Sequence, residues 1–318
     1  MIEAHLDAWA GNDTAFVHSL YRLLLRREPE PEALARALER LADGTLSRAT
    51  LARELATSDE LARVTQLDDA VARGLAARRR GEPLRWLSAP AGTDERVVEI
   101  PWVLSRLGAG TTLELGYANA EDAYLAALLA CDLERLVGVD LAERSLDGLE
   151  GVTADARALP FADETFETIL VVSTLEHIGA DNSVYGLAAE DDPTARLEAL
   201  RELRRVLRSD GRLLITVPLG EPGDHGWFRQ DDVAGWTELF SRAGLFVEEQ
   251  EAYELGEEGW VAAPAFSATG VRYGERGPAA SAVLCTTLSR SRLKRLVSPS
   301  GLAATARRHA RALRHRGS

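Results

Sequence analysis

Apolar residues over the first 80 positions recur at helical spacing. Val17, Leu20, Tyr21 and Leu24 share one face of a helix that Asp13 or Thr14 can cap. EPEPEALARALERLADG opens on prolines, carries Leu34, Leu38 and Leu41, and closes on Gly44, which is the punctuation of a second helix. Ser47 and Ser58 can open two more, the last running to Arg80. Residues 1–80 therefore read as a small all-α domain. Gly81, Pro83, Pro90 and Gly92 mark a linker over 81–94.

From Glu95 the period changes. TTLELG, LVGVD, ETILVVS and RLLITVP read as buried strands, and LFVEEQEAYEL and SAVLCTTL as two more. NAEDAYLAALLA, TARLEALRELRRVLRSDG and DDVAGWTELFSRAG read as the helices between them. Strands alternating with helices over 95–289 predict an α/β domain, a mostly parallel sheet with helices on both faces. Ligands of such sheets sit beyond the C-terminal ends of the strands.

Composition narrows the function classes. In 318 residues, 46% are apolar and 27% charged, the balance of a globular chain with a core to bury. No apolar run reaches the roughly 18 residues of a membrane span, and MIEAHLDAWAGND lacks the pattern of a signal peptide. Two cysteines, Cys131 and Cys285, exclude a disulfide framework and a cysteine zinc site, and fit a reducing, cytoplasmic setting. The net charge of −13 is unevenly spread: nine basic residues and no acid fall in 288–318, leaving −22 on the first 287 residues. A body that acidic repels nucleic acid, so no nucleic-acid partner is expected. The tail over 290–318 reads either as disordered or as a basic helix around 302–314 that makes weak peripheral contact with an anionic inner membrane face.

Three strand ends carry candidate chemistry. Gly116 ends the first strand of the α/β domain, where the chain must turn beside a ligand. Asp140 ends the next, 24 residues on, where a carboxylate accepts two ribose hydroxyls. Asp155 follows a third short strand; it can accept from an adenine amino group while the Ala156 N–H faces the ring. Singly these read as a turn glycine and capping aspartates; in this order and spacing they point to an adenosine site. The loop Gly116-Tyr117-Ala118-Asn119-Ala120 has alanine where a pyrophosphate cradle needs glycine, so a dinucleotide is disfavoured and S-adenosylmethionine (SAM) favoured.

Residues 111–260 resemble the class I SAM-dependent methyltransferases. LELG, VGVD, ADARALPFADETFETILVVSTLEHIG and RELRRVLRSDGRLLITVP stand where that family has its glycine loop, its acidic second strand, its 'LPF…leHi' motif and its 'ExxRVLkPGGxLxxxxP' motif. The departures are the loop alanines and Ser209-Asp210 in place of Pro-Gly. EHIGADNSVYG, TVPLG and GWFR further resemble a bacterial subgroup that modifies sugars and polysaccharides. The resemblance implies a Rossmann-like sheet with an antiparallel last strand and SAM as cofactor. It also implies a binding set of Glu114, Gly116, Tyr117, Ala118, Asp140, Leu141, Asp155, Ala156 and Thr174.

The acceptor side is read from fewer residues. A sugar hydroxyl is nearly un-ionised at neutral pH, so a base is useful, and His177 is best placed for it; otherwise it orients its loop. Glu176, Asp181, Asp191 and Asp192 can hold a divalent cation against sugar hydroxyls or form a solvated acidic loop; no metal is assigned. In the loop after TVP, Trp227 suits stacking on a sugar or anchoring a lid, Arg229 suits an anionic acceptor, and His225 and Trp260 are lesser pocket candidates. His5 and His18 read as surface or packing residues.

FVHSLYRLLLRREPEPEALARALERLADGTLSRATLARELATSDE resembles a small helical bacterial domain of unassigned function related to phycobilisome linker domains. Leu20-Tyr21-Arg22, Leu24-Leu25, Arg27, Pro29, Leu34, Leu41, Gly44 and Ser58-Asp59-Glu60 carry the match. It implies an interaction module for glycan-assembly proteins. The expectation is thus SAM-dependent O-methylation of a small or lipid-linked sugar of a bacterial glycan. Its rival is a catalytically silent scaffold, favoured by the alanine loop.

Overall fold

A computed structural model describes residues 12–268, 270–277 and 279–291. The chain divides into two compact units, Met1–Asp69 and Ala70–Ser318. The basic segment expected around 302–314, and His5, lie outside the described residues.

In the first unit the apolar stripe forms α1 (Asp13–Leu25), α2 (Pro31–Ala42), α3 (Arg48–Ala56) and the opening of α4 (Asp59–Arg80). Asn12, one residue before the expected cap, closes α1 by accepting the Ala15 N–H at 2.8 Å. Its extended backbone leaves the side chain over the first turn, where Asp13 is already helical. Ser47 and Ser58 accept the N–H groups of Thr50 and Leu61, as their sequence positions predict. Phe16, Val17, Leu20, Leu46 and Leu51 form the core. His18 lies at its edge, with Nδ1 2.6 Å from Glu28 Oε2.

The second unit holds one nine-stranded sheet. Its strands are β1 (Ser88–Pro90), β2 (Thr111–Leu115), β3 (Arg135–Asp140), β4 (Glu150–Thr153), β5 (Phe166–Val172), β6 (Leu207–Pro218), β9 (Phe246–Gly256), β10 (Gly259–Ala263) and β11 (Ala282–Ser289); β7 (Gly223–Asp224) and β8 (Arg229–Gln230) pair apart. The order is β1-β10-β9-β11-β6-β5-β2-β3-β4. β4, β3, β2, β5 and β6 run parallel, and β11 inserts antiparallel between β6 and β9. This is the expected Rossmann-like sheet with an antiparallel last strand. Helices α5 (Arg96–Leu104), α6 (Asp122–Leu129), α7 (Ala195–Val206) and α8 (Val233–Arg242) complete it. Buried apolar residues of β2, β3, β5, β6 and β11 pack with Leu200, Leu203, Trp236 and Phe240 of α7 and α8.

Two strands have no strong sequence pattern. β1 falls inside the stretch read as linker and pairs antiparallel with β10, Ser88 opposite Val261 and Pro90 opposite Gly259. A three-residue edge strand ending in proline reads as a loop because proline cannot donate to a ladder. Trp260, expected near a pocket, is instead fully buried with its indole N–H 3.3 Å from the Thr93 carbonyl. Gly74 of α4 shows why no larger residue stands there: a Cβ would lie 2.8 Å from Pro101 Cα on α5. No helix among the described residues is long and apolar enough to cross a membrane.

Candidate active site

A cavity of about 200 Å³ opens at the C-terminal ends of β2, β3 and β5. Gly116, Asp140, Leu141, Asp155, Ala156 and Thr174, six of the nine residues expected to bind the cofactor, line it together with His177. Gly116 turns the chain at φ +91°, and a Cβ there would lie 2.4 Å from Thr174 Oγ1. Glycine is demanded twice, by conformation and by space. Thr174 is held in turn by its hydroxyl, which lies 3.0 Å from the Val172 carbonyl.

Asp140 spends one hydrogen bond per oxygen on the turn it supports. Oδ2 accepts the Ala118 N–H at 3.0 Å and Oδ1 the Ala142 N–H at 2.9 Å. A carboxylate has about four acceptor sites, so two remain for a pair of ligand hydroxyls. Leu141, half exposed, and Ala156, buried, give the cavity an apolar slot beside this carboxylate. Asp155 is gripped by Arg157, whose Nη2 stands 2.6 Å from Oδ2; that guanidinium holds the Asp155 carboxyl below its usual range. Arg157 also reaches Glu190 at 2.6 Å, fastening the rim.

Glu114, Tyr117 and Ala118, expected to touch the cofactor, do not line the cavity. Glu114 lies beneath it and accepts a 2.8 Å hydrogen bond from the hydroxyl of Tyr124, which does line it. Burial pushes the Glu114 carboxyl up to about 8. Tyr117 turns away into the space left by Gly138 and Gly151 and donates to the Arg144 carbonyl at 2.8 Å. Its ring fills the interior rather than a ligand site because two glycines on neighbouring strands leave room for it. Ala118 contributes its N–H to Asp140, while Asn119 and Ala120 reach the wall.

A second chamber of about 80 Å³ adjoins the first, sharing Arg96, Ser173, His177 and Tyr185 as walls. Glu95, Glu176, Trp227, Phe228 and Tyr273 enclose the rest. His177 Nδ1 is 2.9 Å from the Trp227 carbonyl oxygen, so the ring nitrogen there carries the proton and Nε2 keeps its lone pair. Burial lowers the His177 pKa and holds the ring neutral. Nε2 faces Glu176 Oε1 at 4.0 Å. Glu176 and Glu95 are buried, and the Oε2 atom of each has no hydrogen-bond partner among the described residues. Burial pushes Glu176 up to about 8 and Glu95 to about 7.

Residues 113–215 match the model of a family described as a methyltransferase domain, and residues 7–64 that of a domain of unknown function, DUF4214. The fold is that of the class I SAM-dependent methyltransferases. Among relatives, the chain is 30% identical over 107 residues to a ubiquinone/menaquinone biosynthesis C-methyltransferase UbiE of Hahella chejuensis, covering 34% of this chain and 36% of that protein. It is also 30% identical over 112 residues to the UbiE of Paracoccus denitrificans, covering 34% and 39%. The chain therefore spans little more than a third of the curated relatives it matches. A 1,6-didemethyltoxoflavin-N1-methyltransferase structure from Burkholderia thailandensis superposes with a TM-score of 0.41 at 17% identity, over 71% of this chain and 84% of that one.

Within this methyltransferase fold two expected acceptor contacts are not made. Arg229, read as a ligand for an anionic acceptor, is buried: its guanidinium donates to the Gly179 carbonyl at 2.9 Å and to Asp224 at 3.0 Å, and pairs with Asp191. With its fork spent on the chain itself, it clamps the β7–β8 hairpin to the loop over 179–192. His225 lines neither chamber; it stacks on Phe228 with ring centroids 4.4 Å apart and so supports the aromatic wall from behind. The acidic loop is also committed locally, Asp181 accepting from Ser183 and Asp192 from Thr194. Among the described residues no group of three or more His, Cys, Asp or Glu side chains converges as metal ligands would.

The site residues without a sequence motif come from α5 and the turn after β5. Arg96 lines both chambers and pairs with Glu99 Oε2 at 2.8 Å; the other Glu99 oxygen accepts from Ser173 Oγ at 2.7 Å. Ser173 sits at φ +42°, a strained value for a residue with a side chain, at the junction of the chambers. The available signal was Glu99 within the apolar run VVEIPWVL, since a buried acid requires a partner.

Proposed function

We propose that the chain is a SAM-dependent methyltransferase that places a methyl group on a sugar hydroxyl of a bacterial glycan or glycolipid. The observation that carries this reading is His177 on the shared wall of two chambers, with its tautomer set by the Trp227 carbonyl. The larger chamber suits the donor. Asp140 keeps free acceptor sites for ribose hydroxyls, and Leu141 and Ala156 flank an apolar slot. When bound, SAM supplies a sulfonium methyl group open to in-line attack.

The protein's own task is alignment and proton removal. Holding two reactants in line is worth about 7–11 kcal/mol. His177 Nε2, unprotonated, accepts the hydroxyl proton as the oxygen attacks, a contribution of roughly 10²–10⁴-fold. Trp227 and Tyr185 provide flat apolar faces suited to a sugar ring. The alanines of the glycine loop leave the cavity open, which weakens the case for a silent scaffold. The overlap with the UbiE relatives is too short to carry their acceptor across, so the sugar reading rests on this chain's own residues.

The test is calorimetric titration with SAM and S-adenosylhomocysteine (SAH), followed by transfer of labelled methyl to a panel of free, nucleotide-linked and lipid-linked sugars. Saturable binding and labelling of a sugar hydroxyl are expected. Absence of SAH binding overturns the enzyme reading, and labelling of carbon alone overturns the acceptor class.

A further inference from the structure

We propose that the smaller chamber recognises a protonated amino group on the acceptor, with Glu95 and Glu176 as its ligands and the rings of Trp227, Phe228 and Tyr185 as its walls. The proposal rests on the reading of the larger chamber as the methyl-donor site, and it names the acceptor class: an amino sugar or a related cyclic amino alcohol.

Two buried carboxyl groups, Glu95 and Glu176, line the smaller chamber. Glu95 is 9% exposed and Glu176 3%, and among the described residues the Oε2 atom of each lacks a partner. A buried acceptor without a donor destabilises the chain, and more so when it is charged. Among the described residues the cation on this wall, Arg96, is already used. Arg96 pairs with Glu99, and Glu99 satisfies its second oxygen with Ser173. Arg96 and Glu99 cancel in charge, and among the described residues the two remaining carboxyls have no counter-ion in contact.

Different ligands meet that arrangement differently. An anion is repelled. A neutral hydroxyl offers one donor, so it satisfies one carboxyl and leaves the other bare. An ammonium offers three N–H donors and a full positive charge, enough for both carboxyls at once. The walls agree, because aromatic faces attract cations, most strongly where water is excluded. Trp227 and Tyr185 both pack against His177, with ring centroids 5.1 and 5.6 Å from the imidazole. An ammonium between Glu176 and these rings would hold a neighbouring hydroxyl of the same molecule beside His177 Nε2, at the mouth of the donor cavity.

The probes are trans-2-aminocyclohexanol and its neutral counterpart trans-cyclohexane-1,2-diol, titrated into the full-length protein by calorimetry and by Trp fluorescence, with SAH in a separate arm. The amino alcohol is expected to bind at least about tenfold more tightly than the diol. Glu176→Gln and Glu95→Gln, which keep the shape but cannot ionise against an ammonium, are expected to erase that preference while leaving SAH binding intact. Equal affinity for the two probes, no binding of the amine at millimolar concentration, or a preference that survives in both variants overturns the proposal. If SAH fails to bind while the amine preference stands, the donor-site reading falls and the ammonium site remains. The wild-type comparison needs no variant to fold.

Discussion

The Nδ1 atom of His177 lies 2.9 Å from the main-chain oxygen of Trp227, fifty residues away in sequence. A carbonyl can only accept, so the contact leaves Nε2 as the basic nitrogen, and burial keeps the ring neutral. The loop that supplies the aromatic wall thus also sets the protonation of the proposed base. His177→Gln should lower methyl transfer about 10²-fold while SAH affinity changes little. The pH profile of the wild type should lose activity toward acid below the usual histidine range. Equal losses of affinity and turnover would make His177 a positioning residue instead.

Asp140 is expected to matter for both loop and ligand. Asp140→Asn keeps one carbonyl oxygen, enough for one of the two N–H bonds from Ala118 and Ala142. SAH affinity should fall about tenfold or more, the scale of one lost hydrogen bond to a charged group. Circular dichroism should be unchanged. Calorimetry showing wild-type affinity would remove Asp140 from the ribose position.

How far the sequence reached follows from which signals are local. The ends of β2 and β3 were legible because Gly116 and Asp140 occupy positions fixed by the strand-turn pattern alone. Tyr117 was misread as a wall residue because its direction depends on Gly138 and Gly151, which lie on neighbouring strands. Arg229 looked free for an anion because Asp191 and Asp224 become its partners only once the hairpin folds over the 179–192 loop. Arg96 and Glu95 carry no motif; α5 brings them to the site from before the first motif in the chain.

Gly116 offers a double-mutant test of its two constraints. Gly116→Ala meets Thr174 at 2.4 Å and must also adopt φ +91°. The left-handed backbone alone costs about 1–3 kcal/mol, and the clash adds to it. Thr174→Ala added to Gly116→Ala should recover the clash but not the strain. Urea denaturation of both single variants and the double variant reads the difference. Simple additivity would mean that the two residues do not meet.

Arg229→Lys should behave as a stability variant. A lysine cannot span Gly179, Asp191 and Asp224 together. Because both carboxylates are largely exposed, the loss should stay near roughly 1.5–3 kcal/mol. Binding of SAH should persist, since Arg229 lines neither chamber. A selective loss of affinity for anionic acceptors, with stability unchanged, would return it to the acceptor site.

The last prediction concerns pH and stability. Glu114 and Glu176 are pushed up to about 8 and Glu95 to about 7, all by burial. An unfolded glutamate releases its proton at about pH 4.3. Between that value and the raised ones the folded chain holds protons that the unfolded chain has lost. Stability from these groups is therefore fully present below the unfolded value and is lost as pH rises through 7 and 8. His177 works in the opposite sense, since its folded pKa is lowered and the unfolded ring titrates near about 6.5. Its contribution grows with pH only up to that point, so above it the three carboxyls set the slope. Tm should fall by about 4 °C or more between roughly pH 6.5 and 8.5. Glu114→Gln keeps an acceptor for the Tyr124 hydroxyl and has no proton to lose, so its Tm should decline less steeply over the same interval. Glu176→Gln should flatten the slope again when combined with it. A Tm that is level or rising over that interval in the wild type would mean that these carboxyls are ionised in the folded chain, with a cation or water supplying the partner that Glu95 and Glu176 lack.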